Sequence, residues 1–130
     1  MPRWQVAIVI GALGLAGPAL AGAARAQELE DFKARDTGSL ARLCATAESS
    51  PLYAEARQYC YGFISGAGAM YRVALAAGDT HPIACPKSEP TVEQIRQTFV
   101  AWAAQHPEAA PEAAIDGLFR AAAAAWPCPS

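Results

Sequence analysis

Four cysteines constrain the fold of this chain more than any other feature of its sequence. The chain has 130 residues, and its cysteines are Cys44, Cys60, Cys85 and Cys128. In an exported protein an even number of cysteines typically forms disulfides, and four cysteines allow three pairings. The compartment of the protein therefore decides whether they pair, and the turns of the chain decide which pairing is possible.

The first residues indicate export. Arg3 precedes a short apolar run over residues 6–21 that contains three glycines and a proline, and residues 24–26 read Ala-Arg-Ala. A basic start, a short apolar stretch and a small-x-small site are typical of a cleaved secretory signal peptide. A membrane anchor is the alternative, but a stable span requires about 20 apolar residues, more than this run provides. We predict a signal peptide over residues 1–26, a periplasmic protein, and no membrane anchor after cleavage before Gln27.

The remaining residues, 27–130, suffice for one small domain with a single hydrophobic core. The signal removes two of the ten basic residues and none of the twelve acidic ones, which leaves a net charge of −4. This charge argues against a nucleic-acid partner, because binding to phosphates depends on clustered lysine and arginine. We predict a single domain with two disulfides.

The first half of this domain predicts two helices joined by a short turn. Leu40 and Leu43 lie on one face of an amphipathic segment over residues 39–49. Ser50 and Pro51 then supply an N-cap followed by a proline at the first position of a second helix. This second helix continues to about residue 77, where a loop rich in proline begins.

The second half predicts another helical pair. The loop over residues 78–90 reads GDTHPIACPKSEP, and Thr91 and Gln94 form a capping box for a third helix. That helix ends near His106 because Pro107 follows it.

A fourth helix is predicted from Pro111, and its apolar residues fall on one stripe, which comprises Ile115, Leu118, Phe119 and Ala122. No segment of the domain alternates apolar and polar residues in the way that a strand would. We therefore predict an all-α fold, a small disulfide-stapled bundle of about four helices in two antiparallel hairpins.

The hairpins select one cysteine pairing. In an antiparallel hairpin, residues at equal distances from the turn face one another. The midpoint of positions 44 and 60 is residue 52, beside the first predicted turn, and the midpoint of positions 85 and 128 falls at the second turn. Pairing Cys44 with Cys60, and Cys85 with Cys128, is the pairing that both hairpins permit without distortion.

The second helix carries glycine in its interior, where each glycine costs about 1 kcal/mol relative to alanine. Gly62 and Gly66 are four residues apart, so they share one face of the helix. Such a face allows another backbone to approach closely. We expect close helix packing at Gly62 and Gly66 against the first or fourth helix, and a groove for a partner helix is the alternative.

Sequence motifs of catalysis and metal binding are missing from residues 27–130. The segment has no G-x-S-x-G nucleophile motif and no C-x-x-C or H-E-x-x-H pair of metal ligands. Of its two histidines, His81 lies in a polar loop and His106 lies near a helix end. Because all four cysteines are expected to pair, no thiol nucleophile remains. We predict a protein that is not an enzyme and that has no metal and no cofactor.

Several short segments, in this order, resemble a known family. They are CYGFISG at residues 60–66, CP at 85–86, TVEQIRQTFVAWAAQHPE at 91–108 and WPC at 126–128. Together they resemble the Rap/Tai family of periplasmic immunity proteins. The resemblance covers residues 40–128, and it implies a small helical protein that neutralises a peptidoglycan amidase delivered by type VI secretion. It also implies a homodimer that blocks the active-site cleft of the amidase.

One position departs from the family pattern. The family usually has an aspartate shortly after the second glycine of the C-x-G-[FY]-I-x-G segment, and this chain has Ala69 there. The resemblance therefore does not assign effector recognition to that face of the second helix.

The long polar loop is the candidate contact surface, because loops fixed to a rigid scaffold commonly carry binding residues. Within residues 78–90 the polar contacts would come from Asp79, His81, Lys87 and Glu89. We predict an immunity-type protein that binds and inhibits a secreted peptidoglycan amidase effector. The alternative is a small stress-related or chaperone-like periplasmic protein that binds unfolded clients through exposed apolar surface.

Overall fold

A computed structural model describes residues 29–130, and the predicted signal peptide lies outside the described residues. The main helices of this part are α1 (Thr37–Cys44), α2 (Tyr53–Ala77), α3 (Val92–Gln105) and α4 (Ala114–Ala125), with a 3₁₀ helix at Pro107–Ala109 and a helical turn at residues 29–31. Residues 29–130 contain no strand, only an isolated bridge between Asp36 and Ala113. The predicted all-α fold is confirmed.

The two disulfides join the elements that the hairpin symmetry predicts. Cys44 at the end of α1 is bonded to Cys60 in α2, with 5.2 Å between their Cα atoms. Cys85, in the loop before α3, is bonded to Cys128, beyond the end of α4, with a Cα separation of 4.8 Å. The predicted pairing is confirmed, and each bridge stabilises the domain by about 2 to 4 kcal/mol.

The hydrophobic core lies at one end of α2. Its buried residues come from every helix and include Leu40, Leu43, Ile64, Phe99 and Leu118. The buried residues of α2 itself, Ala56, Cys60 and Ile64, all fall in its first half. The second half, residues 65–77, therefore extends past the core and leaves much of its surface exposed.

The start of α1 packs closely on the start of α4. Thr37 is buried, its backbone N–H donates to the Glu112 carbonyl at 2.8 Å, and its hydroxyl contacts the Ala113 carbonyl at 3.1 Å. The residue opposite Thr37 is Gly117 of α4. A Cβ built at Gly117 would lie 2.9 Å from the Thr37 Cβ and closer still to the Thr37 Oγ1 and Cγ2 atoms. Glycine at this position is therefore required by the close approach of the two helices.

An aspartate that the sequence analysis does not single out caps α1. The carboxylate of Asp36 accepts the Ser39 N–H at 2.8 Å, and this bond holds the pKa of Asp36 below its ordinary value. The helix begins at Thr37 and ends at Cys44, earlier than the predicted segment 39–49.

Two other helix starts differ from the predictions. The Ser50 hydroxyl accepts the Leu52 N–H at 3.2 Å, which forms a turn, and α2 begins at Tyr53 without a side-chain cap. The fourth helix begins at Ala114 rather than at Pro111, because the Ala110 and Glu112 carbonyls accept hydrogen bonds from backbone N–H groups at the start of α1. Its buried face comprises Ala114, Gly117, Leu118 and Ala121, and the predicted residues Ile115, Phe119 and Ala122 are half-buried.

Candidate partner-binding surfaces

The 78–90 loop leaves α2 at Gly78 and is held against the bundle at Ile83 and Cys85. Gly78 ends α2 in the left-handed conformation, with φ of 77°, which a glycine adopts without steric cost. Farther along, the Ile83 N–H donates to the Tyr71 hydroxyl at 2.8 Å, and the Cys85 N–H donates to the Trp126 carbonyl at 2.8 Å. The disulfide at Cys85 adds a covalent link, so the middle of the loop is fixed while its two ends remain open to solvent.

The four side chains predicted to contact a partner all lie on the exposed surface of this loop. Asp79 and His81 are near its start, and Lys87 and Glu89 are near its end. A nitrogen of Arg72 on α2 lies 3.8 Å from a carboxylate oxygen of Glu89, and both side chains are largely exposed. The structure thus leaves all four side chains accessible, and their role in binding stays a prediction.

An apolar cleft lies beneath the loop, and we call it the α2–α4 cleft. It has a volume of about 540 Å³ and is bounded by α2, the 78–90 loop, the start of α3 and α4. Aromatic walls come from Tyr71, Phe119 and Trp126, and the Tyr71 and Phe119 ring centroids are 5.5 Å apart. The sequence does not predict this cleft, although Tyr71 is close in sequence to the loop and Trp126 is close to Cys128.

The exposed side of α2, which we call the glycine face, carries Gly62, Gly66, Met70 and Val73. No neighbouring atom lies within 4 Å of a Cβ built at either glycine, so the predicted close packing within the monomer is wrong at both positions. The reason is that α2 turns its other side to the core, through Cys60 and Ile64. The alternative, a groove for a partner helix, stays a prediction.

The glycine face is also unusually apolar for exposed surface. The Met70 side chain is 69% exposed and Val73 is 63% exposed, more than the half-buried aromatic residues beside them. Next to them Phe63, Ile115 and Phe119 line a groove of about 610 Å³. Exposed apolar patches of this kind commonly mark interaction sites.

The strongest electrostatic cluster of the described residues joins α2 to α3. The carboxylate of Glu93 accepts hydrogen bonds from the Tyr61 hydroxyl at 2.6 Å and from Arg96 at 2.7 and 2.8 Å, and Arg57 lies 3.1 Å away. Donation by Arg96, followed by that of Tyr61, holds the pKa of Glu93 far below its ordinary value. Arg96 also donates to the Cys44 carbonyl at 2.6 Å, so this cluster fixes the helices rather than forming an open site.

The two histidines lie far apart in sequence and in separate surroundings. The His106 ring stacks on the Trp102 indole with centroids 4.4 Å apart, and its Nδ1 lies 2.8 Å from the Trp102 carbonyl. His81 is exposed in the 78–90 loop. Across residues 29–130 no group of three histidine, cysteine, aspartate or glutamate side chains is placed to hold a metal ion.

Among the helices that the structure describes, none combines the length and the apolar character that crossing a membrane requires.

Comparison with known proteins gives one match. The sequence model of the family described as Rap1a immunity proteins matches residues 36–128. No curated protein and no solved structure matches the chain. The matched region starts at the cap of α1 and ends at Cys128, so it includes every helix from α1 to α4, both disulfides, the 78–90 loop and the glycine face. The chain therefore belongs to the family of Rap1a immunity proteins.

Proposed function

We propose that this protein is a non-catalytic periplasmic immunity protein that binds and inhibits a peptidoglycan amidase effector delivered by type VI secretion. The observation that carries the proposal is the family match over residues 36–128, which spans the whole helical bundle. Export by the predicted signal peptide would place the protein in the compartment where such an effector meets peptidoglycan.

The 78–90 loop is the proposed contact with the effector. It is supported by geometry, because the loop is pinned at Ile83 and Cys85 and yet exposes its polar side chains at either end. A loop ordered before binding loses less conformational freedom in the complex, which favours affinity. The proposed polar contacts remain Asp79, His81, Lys87 and Glu89.

The test is an inhibition assay with the mature protein and the secreted hydrolases encoded beside its gene. We expect one of them to be a peptidoglycan amidase that the protein inhibits at equimolar concentration. Replacing all four loop residues with alanine should weaken inhibition about 10-fold or more, equivalent to about 1.4 kcal/mol, with an unchanged circular dichroism spectrum. Hydrolysis of peptidoglycan by this protein alone would overturn the non-catalytic assignment.

We also propose that two copies associate through the glycine face. If two α2 helices cross antiparallel with Gly66 of each at the symmetry axis, Met70 of each copy lies opposite Gly62 of the other. The exposed Met70 side chain would then occupy the space beside Gly62, which has no side chain to fill it. Such a contact is self-complementary, as a two-fold dimer requires.

Light scattering after size-exclusion chromatography tests this dimer. Met70→Glu should convert a dimer to a monomer, because a charge at the centre of the contact would be desolvated without a partner. Ala101→Glu places the same charge on an exposed position of α3 and serves as the matched control. A monomeric wild type, or a dimer that survives Met70→Glu, would refute this interface.

The exposed apolar surface at Met70 and Val73 also suits the second candidate, a chaperone-like protein for unfolded periplasmic clients. The two candidates differ in selectivity. An immunity protein inhibits one amidase and leaves the aggregation of unrelated reduced proteins unchanged, whereas a chaperone suppresses aggregation of many clients. The same purified protein can be used in both assays.

A further inference from the structure

The two disulfides of the domain have opposite surroundings. Cys44 is 2% exposed and Cys60 is fully buried, and both belong to the hydrophobic core. Cys85 and Cys128 are only half-buried at the edge of the bundle, where Cys85 lies in the 78–90 loop and Cys128 follows the end of α4. Because thiol–disulfide exchange requires a thiolate to reach a sulfur atom, a reductant reaches the half-buried second bridge more readily than the buried first bridge.

The Cys85–Cys128 bridge also connects two segments that border the α2–α4 cleft. It joins the middle of the 78–90 loop to the segment after α4, and that loop supplies Ile83, Pro86 and Pro90 to the wall of the α2–α4 cleft. Without the bridge, the loop keeps its hydrogen bonds at Ile83 and Cys85 and the exposed ion pair with Arg72. A single hydrogen bond contributes little net stability because it replaces a bond to water, and an exposed ion pair contributes less.

We propose that the Cys85–Cys128 disulfide is a reducible latch, whose reduction releases the 78–90 loop from the α2–α4 cleft while the core disulfide keeps the bundle folded. The inference rests on the proposed function only where it concerns the amidase, because the release of the loop is a property of this chain alone.

The reaction balances with a dithiol as the reductant. One thiolate of the dithiol attacks a sulfur of the bridge, the sulfur–sulfur bond breaks, and the leaving thiolate takes a proton. The second thiol of the dithiol then resolves the mixed disulfide. Cys85 and Cys128 are reduced to two thiols, and the dithiol is oxidised to its disulfide.

Differential alkylation combined with amide hydrogen exchange tests the latch. The oxidised mature protein is treated with increasing dithiothreitol, alkylated with iodoacetamide and mapped by peptide mass. We expect a range of reductant in which Cys85 and Cys128 are labelled and Cys44 and Cys60 are not. In that range the amides of residues 83 and 85 should exchange about 10-fold faster or more, while the amides of α1 and α3 keep their protection.

The variant Cys85→Ser/Cys128→Ser removes the latch without a reductant. Its loop amides should exchange as in the reduced wild type, and its helical circular dichroism should be retained. Simultaneous labelling of all four cysteines would refute the latch, as would unchanged exchange at residues 83 and 85 after selective reduction.

An amidase inhibition assay distinguishes a failure of the latch proposal from a failure of the proposed function. If the protein inhibits an amidase, selective reduction should weaken inhibition of the wild type and leave the double variant unchanged. If reduction weakens inhibition by the double variant as much as inhibition by the wild type, the effect comes from the core disulfide or from the amidase. That result would overturn the proposal that the latch regulates inhibition. If no amidase is inhibited even by the oxidised protein, the proposed function fails, and the exchange data still decide the latch.

Discussion

Replacing Gly117 with alanine should destabilise the protein, although the same change in an exposed helix normally stabilises it. A Cβ at this position would lie 2.9 Å from Thr37 Cβ and closer to the other two side-chain atoms of that threonine. Thr37 cannot turn away at low cost, because it is buried and its hydroxyl lies 3.1 Å from the Ala113 carbonyl. The new methyl group must therefore push α1 and α4 apart.

The expected magnitude follows from three terms. Alanine in a helix interior is favoured over glycine by about 1 kcal/mol. Overpacking a tight contact costs about 1 to 3 kcal/mol, and each hydrogen bond that Thr37 loses costs about 1 kcal/mol more. The net loss of unfolding free energy for Gly117→Ala should be about 1 to 3 kcal/mol.

Urea denaturation of the oxidised protein measures this loss, and α2 offers matched controls. A Cβ at Gly62 or Gly66 meets no atom within 4 Å in the monomer, so Gly62→Ala and Gly66→Ala should raise the unfolding free energy by about 0.5 to 1 kcal/mol. The controls should be measured at concentrations where the protein is monomeric. Combining Gly117→Ala with Thr37→Ala should cost less than the sum of the two single changes, because the second removes the closest atoms. Wild-type or higher stability in Gly117→Ala would refute the close approach of α1 and α4.

Two further predictions concern the start of α3. Ionised Glu93 stabilises the fold because its pKa is lowered in the folded state, so this contribution is present above the ordinary glutamate pKa and is lost as the pH falls towards the folded value. Glu93→Gln should lower the melting temperature at pH 7, and the gap from wild type should narrow by pH 3; a gap that stays constant between these pH values would contradict the ionic role. Thr91→Ala removes the hydroxyl that accepts the Gln94 N–H at 3.1 Å and should cost about 1 kcal/mol in urea denaturation. Thr80→Ala, in the loop, is the control and should change the stability by less than about 0.5 kcal/mol.

The sequence by itself determined the fold class, the approximate positions of the helices and the disulfide pairing. Each of these depends on local signals or on simple symmetry. The capping box at Thr91 fixes the start of α3 through bonds between residues three apart, and Pro107 ends the same helix through its own ring. The cysteine pairing follows from the symmetry of a hairpin about its turn, which requires no knowledge of how the two hairpins pack together.

Only the tertiary structure decided which side of each helix is buried. Half of residues 62–77 in α2 are alanine or glycine, so the apolar pattern of this segment does not distinguish a core side from an exposed side. The sequence therefore predicts the wrong environment for Gly62 and Gly66, and it does not distinguish Gly117 as the glycine that close packing requires. A glycine four residues from another glycine shows that a close approach is possible, but it does not show which backbone approaches.

The α2–α4 cleft and the Glu93 cluster are both formed by residues that are distant in sequence and that the packing of the helices brings together. Glu93 can recruit Arg96 from its own helix, a contact that spacing along the chain predicts, but Tyr61 reaches it only because α2 crosses α3 at that point. The start of α4 differs from the prediction for a related reason, since the Ala110 and Glu112 carbonyls accept hydrogen bonds from the start of α1, a segment more than 70 residues earlier in the chain. Local sequence specifies where helices form, whereas the buried faces and the clefts between helices depend on contacts between residues that are distant in sequence.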